Sequence, residues 1–358
     1  MRCSVDGGIS LLDKAKESIR QFRARPKKVV DTKYAYLSVL LNSRSIRMLT
    51  RDKMERMINA SSYEECAKML EECGYGDLSK AEAPDIEAEL SRHRAELFDE
   101  ISALSPQPAI VDAFRLKYDY HNVKTLIKAE GVGIDGQRLI SDSGRVDVKT
   151  LVSAFVEENY EKLPPKLAKG MDEAKGVLSR TANPQLADII LDKLQFDELG
   201  NCAWQLRSPF FSGYVKLLAD IANLRIIVRA LRMGRDADFI RGALIPEGSV
   251  DAEALFSGGL KGDEILAAYG KNELLTKAAE LGTQALSSGN LTEFELSCDN
   301  AATFYLSRAR EVGFGQEPVI IFLACLESEI TAARMILIGR LRGLEPRLIQ
   351  ERLRESYA

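Results

Sequence analysis

Apolar residues recur along most of this chain at steps of three and four, the spacing that gathers them on one face of an α-helix. The pattern opens at Ile19 and Phe22 and in the stretch from Tyr34 to Leu41. It predicts helices over 64–72, 86–104, 109–130, 148–162, 185–206, 210–233, 263–287, 291–312 and 317–342. Alternating β-branched runs that would mark strands are not apparent. Glycine and proline punctuate the joins, at Pro106 and Pro108, Gly131 and Gly133, Pro164 and Pro165, Pro209, Gly234, Gly258 and Gly259, Pro318 and Gly343. No low-complexity linker separates the segments, so the expectation is an all-α protein whose units pack together.

Three of the helices share a spaced pattern. They read Asp119-Tyr120-His121-Asn122-Val123-Lys124, Asp220-Ile221-Ala222-Asn223-Leu224-Arg225, and Glu329-Ile330-Thr331-Ala332-Ala333-Arg334. Each has an acid, a base five residues later, an apolar pair just beyond the base, and a glycine nine residues after it: Gly133, Gly234 and Gly343. The acids lie 101 and 109 residues apart, too long a period for the short helical solenoid repeats. The first two copies continue alike, through Leu139-Ile140, Gly144, Val146-Asp147 and Leu151, and through Leu244-Ile245, Gly248, Val250-Asp251 and Leu255. The third copy ends too soon for this half, and the stretch from Leu49 to Gly76 loosely resembles what is missing. The repeat predicts a closed three-part arrangement with residues 1–80 beside residues 290–358. The units expected are 1–84 with 285–358, 85–180, and 181–284.

Composition narrows the chemistry. The chain has 358 residues, 46% of them hydrophobic and 28% charged, enough to bury a sizeable core. Its 49 basic and 53 acidic residues give a net charge of −4, which argues against a nucleic-acid binder. The apolar run Pro318–Leu326 is far short of a membrane span, and the charged N-terminus is not a signal peptide, so a soluble cytoplasmic protein is expected. Its six scattered cysteines contain no CxxC pair and read as reduced thiols.

Catalytic motifs are missing. There is no GxxxxGK[ST] loop to cradle a nucleotide, and Gly131, Gly133 and Gly136 have the wrong spacing and context for a dinucleotide fingerprint. Only His93 and His121 occur, and Cys/His zinc spacing is absent. No catalytic, cofactor-binding or metal residue is expected, and no cofactor.

The residues Tyr34-Ala35-Tyr36 with Arg44 and Arg47, Gly74 to Leu78, Tyr118 to Ala129, Asp220 to Arg225, and Arg334 to Leu344 together resemble one family. It is the central-stalk component of V-type and A-type ATPases that is called C in archaea and bacteria and d in eukaryotes. Glu329 and Ala332 depart from the Asp and Asn of the other two copies. The resemblance implies three similar helical-bundle subdomains in a funnel-like pseudo-threefold arrangement. It also implies a non-catalytic socket that transmits torque between the central-shaft subunits and the proteolipid ring at the membrane surface. The protein would lie on the inner face of the membrane within the ATPase, with no nucleic acid and no nucleotide bound directly. The other reading of composition and periodicity is an all-helical scaffold unrelated to ATPases.

The repeat motif Asp119, Asn122, Lys124, Asp220, Asn223, Arg225, Glu329 and Arg334 has a structural reading and a partner-contact reading. In the first, the acid accepts a hydrogen bond from a neighbouring helix and the Asn satisfies backbone groups at a helix join. The base, at 100° per residue, points away from both. The stripe Lys128, Arg229 and Arg232 is either a solvated face or a surface for the shaft. Basic clusters at Arg23, Arg25, Lys27 and Lys28 and at Arg340, Arg342, Arg347, Arg352 and Arg354 either keep the chain soluble or meet anionic headgroups. Trp204, in the helix before the second repeat, is expected to be buried.

Overall fold

The structure is a computed structural model that describes residues 31–353 apart from 252, 257 and 258, and leaves out the side chain of Arg138. Ile19 and Phe22, the basic cluster at Arg23, Arg25, Lys27 and Lys28, Gly258, and Arg354 lie outside the described residues. Among those described there are fifteen α-helices and no strand, an all-α fold.

Three long helices organise the others: α5 (Ala109–Val132), α9 (Pro209–Arg232) and α14 (Gln316–Leu341). They carry the repeated motif. In α14 eight consecutive residues, Val319 to Leu326, are all buried, the signature of a helix covered on every side rather than on one stripe. Each ends at its repeat glycine in the left-handed region, with φ of 72° at Gly133, 67° at Gly234 and 68° at Gly343. The next N–H then reaches back five residues, from Ile134 to Ala129, Arg235 to Ala230 and Leu344 to Gly339. This is a Schellman stop, and it explains the glycine at a fixed distance from the base.

Each long helix has an antiparallel companion. Helix α4 (Ala83–Leu104) pairs with α14, with Glu87 beside Arg334 and Arg94 beside Glu327. Helix α8 (Pro184–Gln205) pairs with α5, with Asp188 beside Lys128, Asp192 beside Lys124 and Glu198 beside Tyr120. Helix α13 (Thr292–Ser307) pairs with α9, with Glu295 beside Arg229, Asp299 beside Arg225 and Tyr305 beside Phe210. Shorter helices complete each group. Around α14 lie α1 (Ala35–Ser45), α2 (Arg51–Ile58), α3 (Tyr63–Glu71) and α15 (Pro346–Gln350). Beside α5 lie α6 (Val148–Glu157) and α7 (Pro165–Thr181). Against α9 lie α10 (Ala237–Ala243) and α12 (Thr276–Ser288), with α11 (Gly262–Tyr269) packed on α12.

The sequence pattern missed α7. Its first residue, Pro165, follows Pro164, a pair that reads as a break but suits an N-terminal turn whose N–H groups are unpaired anyway. Gly170 and Gly176 weaken its periodicity, and Gly170 sits where α7 packs tightly on α8, since a Cβ there would come within 3.1 Å of Leu194 and 3.2 Å of Leu191. The helix expected over 148–162 stops at Glu157, where Glu158 turns left-handed and Lys175 of α7 donates to the Phe155 carbonyl at 3.1 Å. The single helix expected over 263–287 is two, broken between Tyr269 and Thr276.

The starts of the three long helices meet. Tyr34 Oη donates to Gln107 Oε1 at 2.6 Å, Gln316 Nε2 donates to the same oxygen, and it also donates to the Leu206 carbonyl at 3.1 Å. One hydrogen-bonded point thus ties the entries of α5, α9 and α14. The core falls in two clusters. One is built on α5 to α8, from Leu116, Tyr120, Val123, Leu151, Leu167 and Leu191; the other runs from α1 to α4 and from α9 to α15 and takes in one side of α5 (Ile110, Val111, Ala113, Tyr118) and Ala203 of α8.

Candidate functional site

The repeated acids are anchors for loops. Asp119 is fully buried, and its Oδ1 accepts the backbone N–H groups of Arg145 (2.8 Å) and Val146 (3.1 Å), while Oδ2 accepts from the Arg145 guanidinium (2.6 Å). One turn on, Asn122 brackets Ser141, donating to its carbonyl at 2.8 Å and accepting its N–H at 2.9 Å. In α9 the arrangement recurs. Asp220 Oδ1 accepts Ser249 N–H (2.8 Å) and Val250 N–H (3.0 Å), and Oδ2 accepts the Ser249 hydroxyl (2.6 Å). Asn223 brackets Ile245 at 2.8 and 2.7 Å. Each loop is therefore held at two places four residues apart, on groups that would otherwise be buried without partners.

This geometry explains the shared Gly144 and Gly248. A Cβ on either would overlap the carboxylate oxygen of Asp119 or Asp220. The residue after each anchored pair then starts a turn of helix, with Asp147 accepting Thr150 N–H at 3.0 Å and Asp251 accepting Glu253 N–H at 3.1 Å. In α14 the loop comes from the other end of the chain. Glu329 accepts Leu49 N–H at 2.7 Å and Tyr75 Oη at 2.7 Å, and Thr50 then caps α2 by accepting Lys53 N–H. The departures at Glu329 and Ala332 thereby acquire a reason. No glycine precedes Leu49 at the matching place, a longer acid spans the gap, and Tyr75 supplies a second tie where the Asn is lost.

The bases face outward to the antiparallel companions, as the helical angle requires. Lys124 pairs with Asp192, Arg225 with Glu295 at 2.7 Å and Asp299 at 2.8 Å, and Arg334 with Glu87 at 2.7 Å. Of the basic stripe, Lys128 and Arg229 are half exposed and bonded to Asp188 (2.8 Å) and Glu295 (2.6 Å), while Arg232 is exposed at the end of α9. The acids' partners are loops rather than the neighbouring helix that the sequence suggested.

Burial raises the carboxyl pKa of Asp119, Asp220 and Glu329. Arg145 opposes the shift at Asp119, whereas Asp220 has mainly neutral donors and is pushed up to about 6. Between the ordinary 3.8 and about 6 the folded protein holds a proton that the unfolded chain releases, so stability falls as pH rises through that window. Asp220→Asn should abolish this slope, because an amide oxygen still accepts both N–H groups and the amide N–H₂ donates to the Ser249 hydroxyl. From pH 4 to pH 7 the wild type is expected to lose about 2 kcal/mol more unfolding free energy than the variant in urea titrations. Equal slopes would rule the assignment out.

Sequence reasoning overlooked Glu327. It lies two residues before Glu329, as Lys117 lies two before Asp119, and these equivalent positions touch where α14 meets α5. Glu327 accepts from Lys117 at 2.6 Å and Tyr118 Oη at 2.6 Å, with Arg94 at 3.5 Å. Arg94 is buried, lies over the Tyr118 ring at 4.6 Å and donates to Ser143 at 3.2 Å. The equal offset from the repeat acid was the available signal. Trp204 corrects another expectation: it is 78% exposed, standing on the open side of the chain while its neighbours Ala203 and Leu206 are buried. Among the described residues no three His, Cys, Asp or Glu side chains cluster as metal ligands, and no helix is long and apolar enough to cross a membrane.

A helical repeat body with buried structural anchors defines the class: a protein organised to hold a shape. The particular family follows from comparison. Residues 37–352 match the ATP synthase (C/AC39) subunit family, and the chain belongs to that family. It is 25% identical over 327 residues to the C subunit of the V-type sodium ATPase of Enterococcus hirae, covering 90% of this chain and 99% of that one. It is 23% identical over 355 residues to the C subunit of the A-type ATP synthase of Methanocaldococcus jannaschii, covering 91% and 88%. It is 25% identical over 275 residues to the C subunit of the V-type ATP synthase of Thermus thermophilus, covering 70% and 85%. The alternative of a scaffold unrelated to ATPases gives way to this membership.

Proposed function

We propose that this chain is a non-catalytic central-stalk component of a V/A-type rotary ATPase. In this role it is the socket that couples the central-shaft subunits to the proteolipid ring at the inner membrane surface. The observation that carries the reading is the family match over residues 37–352, together with relatives named as C subunits that align over most of their length. Its work is mechanical, so no cofactor, nucleotide or nucleic acid is bound.

Torque transmission needs a body that resists twisting. Two features support this. Each loop is tied to a long helix by charge-assisted hydrogen bonds inside the protein, where they are about twice as strong as neutral ones. The three long helices start from one hydrogen-bonded point at Gln107, Leu206 and Gln316. On this reading the body is a funnel of three units about a pseudo-threefold axis, narrow at that point. The helix pairings favour units of 31–104 with 316–353, 109–205, and 209–307, since α4, α8 and α13 each pair with the long helix of their own unit. Of the repeat-motif bases and the basic stripe, Arg232 at the end of α9 is the best placed to meet a partner, the others being bonded to companion helices.

The test is reconstitution. ATPase assembled in vesicles without this chain should hydrolyse ATP but lose ATP-driven ion transport by more than about tenfold, and adding the chain back should restore it. Transport that proceeds undiminished without the chain would overturn the coupling role.

A further inference from the structure

Helix α1 buries one face and leaves a second apolar face open. Leu37, Ser38 and Leu41 are buried on the side where α1 packs on α14. On the other side Tyr36 is 70%, Val39 62% and Ile46 79% exposed. With the exposed Ser43 they follow one another at steps of three, four and three, the spacing of a helix–helix seam. At 1.5 Å per residue the stripe is about 15 Å long. Single apolar residues on a surface are ordinary, but three large ones in line on one helix mark a contact face. Their exposure shows that no described element packs over it.

The chain itself carries a matching stripe. Residues 1–30 lie outside the described residues, which start at Asp31, just before α1. In that upstream sequence Leu12, Ala15, Ile19 and Phe22 stand at the same steps of three, four and three. A helical face of that spacing is again about 15 Å long. The family match begins at residue 37, so the upstream stripe lies outside the matched region. Residues 23–33 connect the two stripes, with Pro26 suited to a turn. A stretch of that length reaches about 30 Å when extended, and packed helices need a separation of only about 8–10 Å.

We propose that residues 12–22 of this chain dock antiparallel on the open face of α1 and close it to other partners. In that register the two stripes match by size. Phe22 meets Tyr36, Ile19 meets Val39, the small Ala15 meets the small Ser43, and Leu12 meets Ile46. A segment tethered this close has an effective concentration of about millimolar, above that of a free partner with the same contacts. An anionic lipid surface would attract Arg23, Arg25, Lys27 and Lys28 but leave Tyr36, Val39 and Ile46 uncovered. The docking does not depend on the coupling role proposed above.

Cross-linking and hydrogen exchange on the full chain test it. Cys3, the only cysteine among residues 1–30, is first replaced by Cys3→Ser. Under mild oxidation Ala15→Cys with Ser43→Cys should close a disulfide within one chain in more than about half of the molecules. Glu17→Cys with Ser43→Cys, on the opposite side of the upstream stripe, should close less than about a tenth as often. Amides of residues 12–22 should exchange about tenfold more slowly in the wild type than in Val39→Asp, while α14 keeps its protection in both. Equal closure of the two pairs, or exchange that Val39→Asp leaves unchanged, overturns the docking. Disulfides formed only between chains, with a dimer in analytical ultracentrifugation, give the face to a second copy and overturn the proposal. Protection of residues 12–22 that arises only with vesicles of anionic phosphatidylglycerol gives the segment to the membrane and overturns it as well.

Discussion

Glu327→Ala is expected to remove about 3–5 kcal/mol of unfolding free energy, a large share of what a folded domain possesses. Glu327 is the one acid that Lys117, Tyr118 and Arg94 share, and it joins α14 to α5 and α4. Without it, Arg94 keeps Ser143 and the face of Tyr118 but loses its carboxylate neighbour, inside a site that is almost closed to water. An uncompensated buried guanidinium is among the costliest defects a core can contain. Glu327→Gln keeps an acceptor for the Tyr118 hydroxyl and should recover part of the loss. The pH dependence has the opposite sign to that of Asp220. Burial alone would raise the Glu327 carboxyl, but Lys117 and Arg94 outweigh it and hold the pKa below the ordinary 4.5. Its contribution is therefore full above that value and is lost as acid takes the pH down through the folded pKa. Urea titrations at pH 7 and pH 3 should show the variant's deficit shrinking in acid; a deficit below about 1 kcal/mol at pH 7 would show the junction to be solvent-relaxed.

Asp119→Ala should cost about 3–4 kcal/mol, and the damage should be local enough to see. The substitution strands the N–H groups of Arg145 and Val146 and removes one of the two carboxylates on the Arg145 guanidinium, which retains Glu198 at 2.8 Å. Asn122→Ala removes two neutral hydrogen bonds on Ser141, four residues before Arg145 in the same loop, and should cost about 2 kcal/mol. Native-state hydrogen exchange separates the two. Arg145 and Val146 amides should lose protection in the first variant, and Ser141 in the second. If the Arg145 and Val146 amides stay as protected as in the wild type, Asp119 is not what holds the loop.

These residues also show where the sequence was legible. Asp119 with Asn122, and Asp220 with Asn223, were visible as a repeat, and so were the glycines at 133, 234 and 343. Gly144 and Gly248 could be aligned, but their reason was not visible, since it is the carboxylate of a helix more than twenty residues away. Helix α7 was lost to Pro164 and Pro165, because proline signals both a break and a first turn. Trp204 was misjudged because burial of a lone aromatic depends on which side of its turn the neighbouring helices cover; here they cover Ala203 and Leu206 and leave Trp204 open. Glu327 carried no motif of its own; its three partners come from α4 and α5.

What the sequence determined by itself is what interactions within a few residues decide. It set the helical class, the positions of the three long helices, and their left-handed glycine stops, all of which depend on side-chain periodicity and local backbone sterics. Which group each acid holds was decided by tertiary structure alone. The partners of Asp119, Asp220 and Glu329 begin 26, 29 and 280 residues away, and the last of these brings Leu49 from the opposite end of the chain. A buried carboxylate must find donors wherever the packed fold places them, and no local pattern contains that placement.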